Sequence, residues 1–456
     1  MMKISEAALA LDGKIKGEDA EFFSVSTDTR KIGKGDLFVA LKGEHFDGAD
    51  FAVQALESGA AAVMVNENSW RDPMSPALLV QDTRLALGRL AAYWRAQFAI
   101  PLVAITGSNG KTTVKEMTAS ILSVASGSAD AVLATRGNLN NDIGMPLTLL
   151  QLNKQHRYAV IEMGMNHFGE ISYLTRIAMP DVALINNAGG AHLEGLGSVE
   201  GVARAKGEIF QGLKNSGIAI INADDSHAPL WRGLAGSHSR IEFGINSASD
   251  VHGNWQPEDC GLRLEVNTPK GQFSVSMQVP GEHNARNALA ATAIAIALDI
   301  PLKSIASGLE RFPGVAGRMQ SKRGRGGASL IDDTYNANPE SMRAAIKVLA
   351  KSEGRRVMVL GDMGELGSDA ESMHAGIGRF AKESGIEKLY ALGEMSRIAV
   401  LEFGEHARHF ERMEDLQSAL EDELHEGTTL LFKGSRFMKM ERAVDFCVEK
   451  KEEECS

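Results

Sequence analysis

One short segment constrains the fold of this chain more than any other feature. Residues 106–113 read TGSNGKTT, follow the apolar run Leu102–Ile105 and precede a stretch of helical composition, Val114–Val124. Glycines let backbone N–H groups turn inward onto an anion, and the start of a helix adds partial positive charge. The order strand, glycine loop and helix therefore predicts a phosphate-binding loop within an α/β domain.

The residue types in this loop favour a nucleoside triphosphate. Lys111 is placed to reach the β and γ phosphates, and the Thr112 hydroxyl is placed to bind Mg²⁺. The common signature has an earlier glycine where this chain has Ile105, so the loop is the shorter G-x-x-G-K-T variant. The alternative is a glycine turn before an exposed helix. The candidate nucleotide-binding residues are Gly107, Ser108, Asn109, Gly110, Lys111, Thr112 and Thr113.

Composition narrows the class of protein. At ~150 residues per domain, 456 residues predict about three domains. A hydrophobic fraction of 44% and a charged fraction of 23% exclude a largely disordered chain. A net charge of −11 disfavours a nucleic-acid-binding protein. Three scattered cysteines and the absence of a long apolar run favour a reducing cytoplasm and no insertion into a membrane.

Strand-like and helix-like stretches alternate along the whole chain, which predicts an α/β fold with parallel sheets. We expect a small N-terminal α/β module over 1–82 and a central P-loop-type domain with a parallel sheet over 83–313. A C-terminal Rossmann-like α/β domain is expected over 314–456. The apolar runs that predict strands in the two larger domains are Leu102–Ile105, Tyr158–Ile161, Val182–Ile185, Ile218–Ile221, Ser329–Ile331, Val357–Leu360, Leu389–Leu392 and Thr429–Phe432.

Further polar residues follow the central strands or lie in loops between them. Glu162 directly follows a strand, where a carboxylate would face a ligand crevice and could bind Mg²⁺ with Thr112. His192 lies in a glycine-rich loop, Lys206 in a predicted helix, and Asn138 and Asn140 in a polar loop. The alternatives are a surface acid at a strand end, a solvated histidine, an exposed helix lysine and a simple turn.

Together these segments resemble the Mur ligase family, the ATP-dependent amide ligases of peptidoglycan precursor synthesis. The resemblance covers nearly the whole chain, and its motifs occur in the family's order. They are the loop at 106–113, N-x-N-N at 138–141, Glu162, His192, A-K-G-E around Lys206, G-E-H-N-A-R-N at 281–287, Gly317-Arg318 and Asp332-Asp333.

The resemblance implies a reaction that joins an amine to a substrate carboxylate through an acyl phosphate, using ATP. Residues 162–167 and 331–339 favour the family member that adds D-alanyl-D-alanine to UDP-N-acetylmuramoyl-tripeptide, and residues 433–436 agree. The tetrapeptide Asp-Asn-Pro-Arg of the diamino-acid-adding ligase is absent. Another amino-acid-adding Mur ligase, a folylpolyglutamate synthase-like ligase and a nucleotide-binding regulatory protein are the alternatives. Only small-molecule partners and a monomer are expected.

The resemblance also implies a role for each candidate residue. Lys111, Glu162, His192 and Lys206 are the expected catalytic set. Thr112 and Glu162 would hold a first Mg²⁺, and His192 and a carbamylated Lys206 a second. The other roles are adenine contact for Asn284 and Asn287, ADP contact for Arg318 and Asp333, the uridine end for Ser26, Asp28, Thr29 and Arg30, further substrate contact for Asn138 and Asn140, and the dipeptide for Asn336, Asn338 and Arg436. Helix capping remains the alternative for the adenine pair, and a solvated linker charge remains the alternative for Arg318.

Overall fold

The structure is a computed structural model that describes residues 1–43, 46–72, 75–190, 193–258 and 261–449. It confirms the α/β class, with three separate larger sheets in chain order. No helix in these ranges has both the length and the apolar character needed to cross a bilayer. Short 3₁₀ helices are Thr29–Lys31, Gly48–Phe51, Ala129–Ala131, Glu208–Gly212, Arg325–Gly327, Gly367–Asp369, Glu421–Glu423 and Arg436–Met438.

The N-terminal part forms a small sheet with the strand order β2-β7-β6-β5-β4. The strands from β4 to β7 pair in parallel, and β2 is an antiparallel edge. The elements are β1 (Met2–Lys3), α1 (Ile4–Leu11), β2 (Lys14–Lys16), β3 (Glu21–Phe22), β4 (Ser24–Ser26), β5 (Asp36–Val39), α2 (Ala52–Glu57), β6 (Ala62–Asn66) and β7 (Ala77–Val80).

The central part carries the phosphate loop in the middle of its sheet. Its elements are α3 (Thr83–Ala96), β8 (Leu102–Thr106), α4 (Lys111–Ser126), β9 (Val132–Ala134), α5 (Gly144–Leu149), β10 (Tyr158–Glu162), α6 (Glu170–Ala178), β11 (Val182–Ile185), α7 (Leu193–Leu196), α8 (Val199–Gly207), β12 (Ile218–Asn222), α9 (Ala228–Leu234), β13 (Ser239–Gly244), β14 (Val251–Glu258), β15 (Gly261–Thr268), β16 (Gly271–Met277), α10 (Glu282–Ala297) and α11 (Leu302–Glu310).

The strand order of the central sheet is β16-β15-β14-β13-β12-β11-β8-β10-β9. Alternate residues of β8 belong to two hydrophobic clusters, Leu102 and Ala104 to one and Val103 and Ile105 to the other. The sheet is therefore covered on both faces, as its apolar runs predict. Strand β8 lies between β10 and β11 in the sheet. The connections that leave these strands form a crevice at their carboxyl ends. Beyond the predicted strands, β14, β15 and β16 add an antiparallel extension.

The C-terminal part has the strand order β17-β18-β22-β19-β20-β21, parallel except for the edge strand β17. Separate hydrophobic clusters cover its two faces. Its elements are β17 (Gln320–Arg323), β18 (Ser329–Asp333), α12 (Pro339–Leu349), β19 (Arg355–Gly361), α13 (Ala370–Glu383), β20 (Lys388–Leu392), α14 (Ser396–Phe403), β21 (Ala407–Phe410), α15 (Met413–Leu420), β22 (Thr428–Lys433) and α16 (Glu441–Cys447).

Candidate active site

The phosphate loop has a backbone that depends on a glycine at its junction with α4. Gly110 has φ of 78° and precedes the first helical residue, Lys111. A Cβ atom at this position would lie 2.5 Å from Asn186 Nδ2 and 2.5 Å from Asn287 Oδ1. Gly110 is therefore required both by its left-handed conformation and by the close approach of two amide side chains.

The residues that follow β11 fix the shape of the loop. Ser108 N donates to Asn187 O at 3.1 Å, and Asn109 N donates to Asn187 Oδ1 at 2.8 Å. Asn186 Nδ2 donates to Asn109 O at 2.9 Å. The sequence interpretation did not select Asn186 or Asn187. Their position directly after a buried parallel strand, like that of Glu162, is the signal that identifies them.

Glu162 lies against the start of α4, as the expected metal-binding pair requires. Its Oε2 accepts from Thr112 Oγ1 at 2.8 Å, and its Oε1 accepts from Asn140 Nδ2 at 2.8 Å. Glu162 is 2% exposed, and its backbone N–H donates to Thr135 Oγ1. The alternative of a surface acid is wrong. The carboxylate is buried and oriented from both sides.

Arg318 reaches this group from the C-terminal part. Its Nη2 donates to Thr112 Oγ1 at 2.9 Å, and its guanidinium lies 4.1 Å from the centre of the Tyr335 ring. Arg318 Nε is buried and has no hydrogen-bond partner among the residues that the structure describes. The alternative of a solvated linker charge is wrong, because this side chain is aimed into the cavity next to the phosphate loop.

Burial lowers the pKa of two lysines of the expected catalytic set. Lys111 Nζ donates to Gly107 O at 2.5 Å; Glu162 opposes the lowering of its pKa, and Arg318 adds to it. Lys206, on α8, is 2% exposed, and burial together with the charge of Lys111 holds its pKa well below the usual range. The alternative of an exposed lysine is wrong. His192 lies outside the described residues.

Asn284 and Asn287 lie in the first turns of α10, and both are buried. Asn287 Oδ1 accepts from Asn186 Nδ2 at 3.0 Å, and Asn284 Nδ2 donates to Pro280 O at 2.8 Å. The N-cap residue of α10 is Gly281, so the helix-capping alternative is wrong. Asn287 instead connects α10 to Asn186, which in turn donates to Asn109 O of the phosphate loop.

Asp333 ends β18 and is held by a buried ion pair. Its Oδ2 lies 2.6 Å from Lys433 Nζ, and its Oδ1 accepts from Met319 N at 3.1 Å. Lys433 also donates to Asn336 O at 2.9 Å. Asp333 is thus fixed at the end of its strand, and it lines the same cavity as Arg318.

A cavity of about 1400 Å³ lies between the central and C-terminal parts. It brings together most of the predicted nucleotide, metal and dipeptide residues. Among the predicted residues, the lining includes Ser108, Asn109, Gly110, Lys111, Thr113, Asn138, Asn140, Glu162, Asn284, Asn287, Arg318, Asp333, Asn336, Asn338 and Arg436. Gly107, Thr112 and Lys206 are not among the lining residues.

The three residues expected at the dipeptide are engaged in the C-terminal part. Asn336 Oδ1 accepts from the backbone N–H of Ala337. Asn338 caps α12 and donates to Asn109 Oδ1 at 2.8 Å. Arg436 Nη1 forms an ion pair with Glu441 Oε1 at 3.0 Å. Asn338 therefore contacts the phosphate loop, and Arg436 lines the same cavity.

A second cavity of about 1070 Å³ lies between the N-terminal part and the central part. Ser26 and Asp28, two of the four residues expected at the uridine end, line it. Thr29 and Arg30 do not line it. Arg30 Nε forms an ion pair with Asp28 Oδ1 at 2.9 Å, and this contact lowers the pKa of Asp28 to about 2.

Family models match three consecutive parts of the chain. Residues 21–95 match the catalytic domain of the Mur ligase family, 105–295 match the Mur ligase middle domain, and 317–436 match the Mur ligase glutamate ligase domain. These three matches cover the parts of the chain that carry the phosphate loop, the buried carboxylate of Glu162 and the C-terminal sheet. The chain belongs to the Mur ligase family and is an ATP-dependent ligase that forms peptide bonds.

Three of the similar proteins are the same member of that family. UDP-N-acetylmuramoyl-tripeptide–D-alanyl-D-alanine ligase of Escherichia coli (strain K12) is 44% identical, over 97% of both chains. A crystal structure of MurF from Acinetobacter baumannii is 39% identical, with a TM-score of 0.91 over 97% of this chain and 98% of that chain. MurF from Thermotoga maritima in complex with ADP is 27% identical, with a TM-score of 0.83 over 93% and 96%.

Proposed function

We propose that this chain joins D-alanyl-D-alanine to UDP-N-acetylmuramoyl-tripeptide, with conversion of ATP to ADP and phosphate. The observation that carries the proposal is the single cavity in which Lys111, Glu162 and Arg318 converge from different parts of the chain. The whole-length similarity to ligases that bear this name selects the substrates. No observation favours a folylpolyglutamate synthase or a regulatory protein.

The proposed reaction has two chemical steps. The terminal carboxylate of the tripeptide attacks the γ phosphorus of ATP, the bond to the β–γ bridging oxygen breaks, and an acyl phosphate and ADP result. The amine of the dipeptide then attacks the acyl carbon, loses a proton, and the tetrahedral intermediate expels phosphate. The reacting groups of the first step are anionic, so alignment and charge stabilisation by Lys111, Arg318 and the loop N–H groups are the main contributions of the chain.

Thr112 and Glu162 fit a first Mg²⁺ site, because a hydroxyl and a buried carboxylate are oxygen donors of the kind that Mg²⁺ prefers. Bound there, Mg²⁺ would neutralise developing charge on the phosphates. Among the described residues, no three His, Cys, Asp or Glu side chains form a ready-made metal cluster. The phosphates of ATP would therefore have to complete the coordination.

Carbamylation of Lys206 is the second part of the proposal, with His192 as the other protein group at a second Mg²⁺. Support comes from the burial of Lys206 and from its lowered pKa, since only a neutral amine adds CO₂. The product is an anion with two oxygen donors. We expect Lys206→Ala to lose turnover and small carboxylates to restore part of it. Unimpaired turnover of Lys206→Ala would contradict this assignment.

The domain roles extend the same proposal. Residues 1–82 would bind the uridine end, 83–313 the ATP, and 314–456 the incoming dipeptide. Ser26 and Asp28 are favoured for the uridine end because they line the second cavity. We also propose that the chain acts as a cytoplasmic monomer.

The test is phosphate release with ATP, Mg²⁺ and UDP-N-acetylmuramoyl-tripeptide, with D-alanyl-D-alanine or single amino acids offered as the amine. Release that depends on the dipeptide, with a pentapeptide product by mass spectrometry, is the expected result. Release with a single amino acid would retain the ligase chemistry and change the substrate. No release with any amine would overturn the proposal.

A further inference from the structure

The first turn of α12 contacts the phosphate loop from across the cavity. Asn338 Nδ2 donates to Asn109 Oδ1 at 2.8 Å, and Asn109 Nδ2 approaches Glu340 Oε2 at 3.4 Å. The other oxygen of the same carboxylate, Oε1, accepts from Gly190 N at 3.2 Å. The oxygen and the nitrogen of the Asn109 amide are therefore both hydrogen-bonded to residues of the C-terminal part. Glu340 contacts two loops of the central part, at Asn109 and at Gly190.

The central part has a space shaped for the Glu340 carboxylate. A Cβ atom at Gly189 would lie 1.8 Å from Glu340 Oε2 and 2.4 Å from Glu340 Cδ. Gly189 is itself tied to the phosphate loop, because its N–H donates to Ser108 Oγ at 2.9 Å. A side chain at this position would push Glu340 out of its place.

The surroundings of Glu340 are unfavourable for a carboxylate whose only role is to stabilise the fold. Burial raises the pKa of its carboxyl, the Gly190 N–H opposes that shift, and Asp225 adds to it. The charges of Arg343 and His227 lower the pKa of Glu340. A buried acid held by two moderate hydrogen bonds does little for stability, since desolvation offsets what the contacts contribute.

The other end of α12 also rests on the central part. Val348 would lie 3.1 Å from a Cβ at Gly281, the residue that precedes α10. Lys351, just beyond the helix, has its Nζ 5.0 Å from the centre of the Trp255 ring on β14. Contacts at both ends fix the direction of α12, so the position of its first turn is defined by more than one loop.

We propose that Glu340 is a positioning residue of the nucleotide site. It docks the C-terminal part onto the phosphate loop and onto the 186–190 loop, so that ATP meets a site already assembled. The inference rests on the proposed function. Without the carboxylate, both loops and the docked C-terminal part must be ordered during binding, and that cost appears as weaker nucleotide affinity.

Calorimetric titration of the full chain with ADP and Mg²⁺ tests the proposal. We expect Glu340→Ala to weaken ADP binding roughly tenfold, the effect of losing a hydrogen-bonded charged group. Glu340→Gln should stay within about threefold, because its amide carbonyl still accepts from Gly190 N–H. Gly189→Ala should reproduce the weakening with Glu340 intact. Lys347→Ala, on an exposed face of α12, is the matched control and should bind as the wild type does.

Steady-state kinetics and small-angle scattering separate positioning from structure. For Glu340→Ala we expect a raised KM for ATP, an unchanged KM for the UDP substrate and an unchanged melting temperature. Its compaction on ADP binding should be larger than that of the wild type, because its C-terminal part is not docked before ADP binds. Wild-type ADP affinity in Glu340→Ala and Gly189→Ala would overturn the inference. Equal losses for both substrates together with a lower melting temperature would also overturn it. Failure of the wild type to bind ADP would count instead against the proposed function.

Discussion

Thr112 Oγ1 donates to Glu162 Oε2 across 2.8 Å, and this bond connects the start of α4 with the end of β10. The hydroxyl also accepts from Arg318, so it lies between a carboxylate and a guanidinium. We expect Thr112→Val to lower kcat/KM roughly 10²–10³-fold. The substitution removes both the hydroxyl proposed as a Mg²⁺ ligand and the hydrogen bond that orients Glu162. Phosphate release measured across a Mg²⁺ titration checks this. Thr112→Ser keeps the hydroxyl and should remain active; an active Val variant would exclude the role.

The two glycines that flank α4 provide a matched pair of variants. Gly110 and Gly127 have φ values of 78° and 77°, but among the described residues only a Cβ added at Gly110 would meet atoms within 4 Å. An alanine at either site should cost about 1–3 kcal/mol of stability for its left-handed backbone. Only Gly110→Ala should also lose ADP affinity, because Asn186 and Asn287 must move. Comparable ADP affinity in the two variants would contradict this.

Asp333 and Lys433 form a buried pair whose members depend on each other. Their exposed side-chain fractions are 12% and 3%, and their charged atoms are 2.6 Å apart. Removal of one partner, in Asp333→Asn or Lys433→Met, should destabilise the chain by about 3–5 kcal/mol, since an uncompensated charge stays buried. The double variant should lose less than the sum. Denaturant unfolding in a double-mutant cycle measures the coupling, and additive losses would refute it.

Lys206 predicts a pH-dependent difference in stability. Its pKa is lower in the folded chain than in the unfolded chain, so the unfolded chain binds more protons between those two pKa values. Wild-type stability should therefore rise with pH through that window. In metal-free, CO₂-depleted buffer we expect Lys206→Met to be more stable at neutral pH by roughly 1–3 kcal/mol. The advantage should disappear as the pH approaches the usual range for lysine. Parallel stability curves would contradict this.

Local sequence patterns predicted the elements that carry the site, but not every contact within it. The apolar runs before residues 106 and 162 identified the central strands, since a strand buried on both faces leaves a continuous signal. The antiparallel strand β15 gave no such run, because buried Leu262, Leu264 and Val266 alternate with more exposed residues. An alternating pattern, rather than a continuous one, was the signal for that extension.

Contacts between distant segments leave no local signal at all. Glu340 and Asn109 are 231 positions apart, and the residues around Glu340 read as an ordinary helix start after Asn338 and Pro339. The burial of Lys206 was equally hidden, because a lysine in a helix is exposed in most proteins. Such features follow from how the sheets and helices pack together, which the pattern of a single segment does not contain.

Neighbouring residues of the polar loop at 138–141 line the two different cavities. Leu139 lines the cavity on the N-terminal side, and Asn140 lines the cavity at the phosphate loop while donating to Glu162. If a ligand in one cavity shifts this backbone, the lining of the other cavity shifts with it. Thermodynamic linkage then requires reciprocity. The change that the first ligand causes in the binding free energy of the second equals the change that the second causes in the binding free energy of the first.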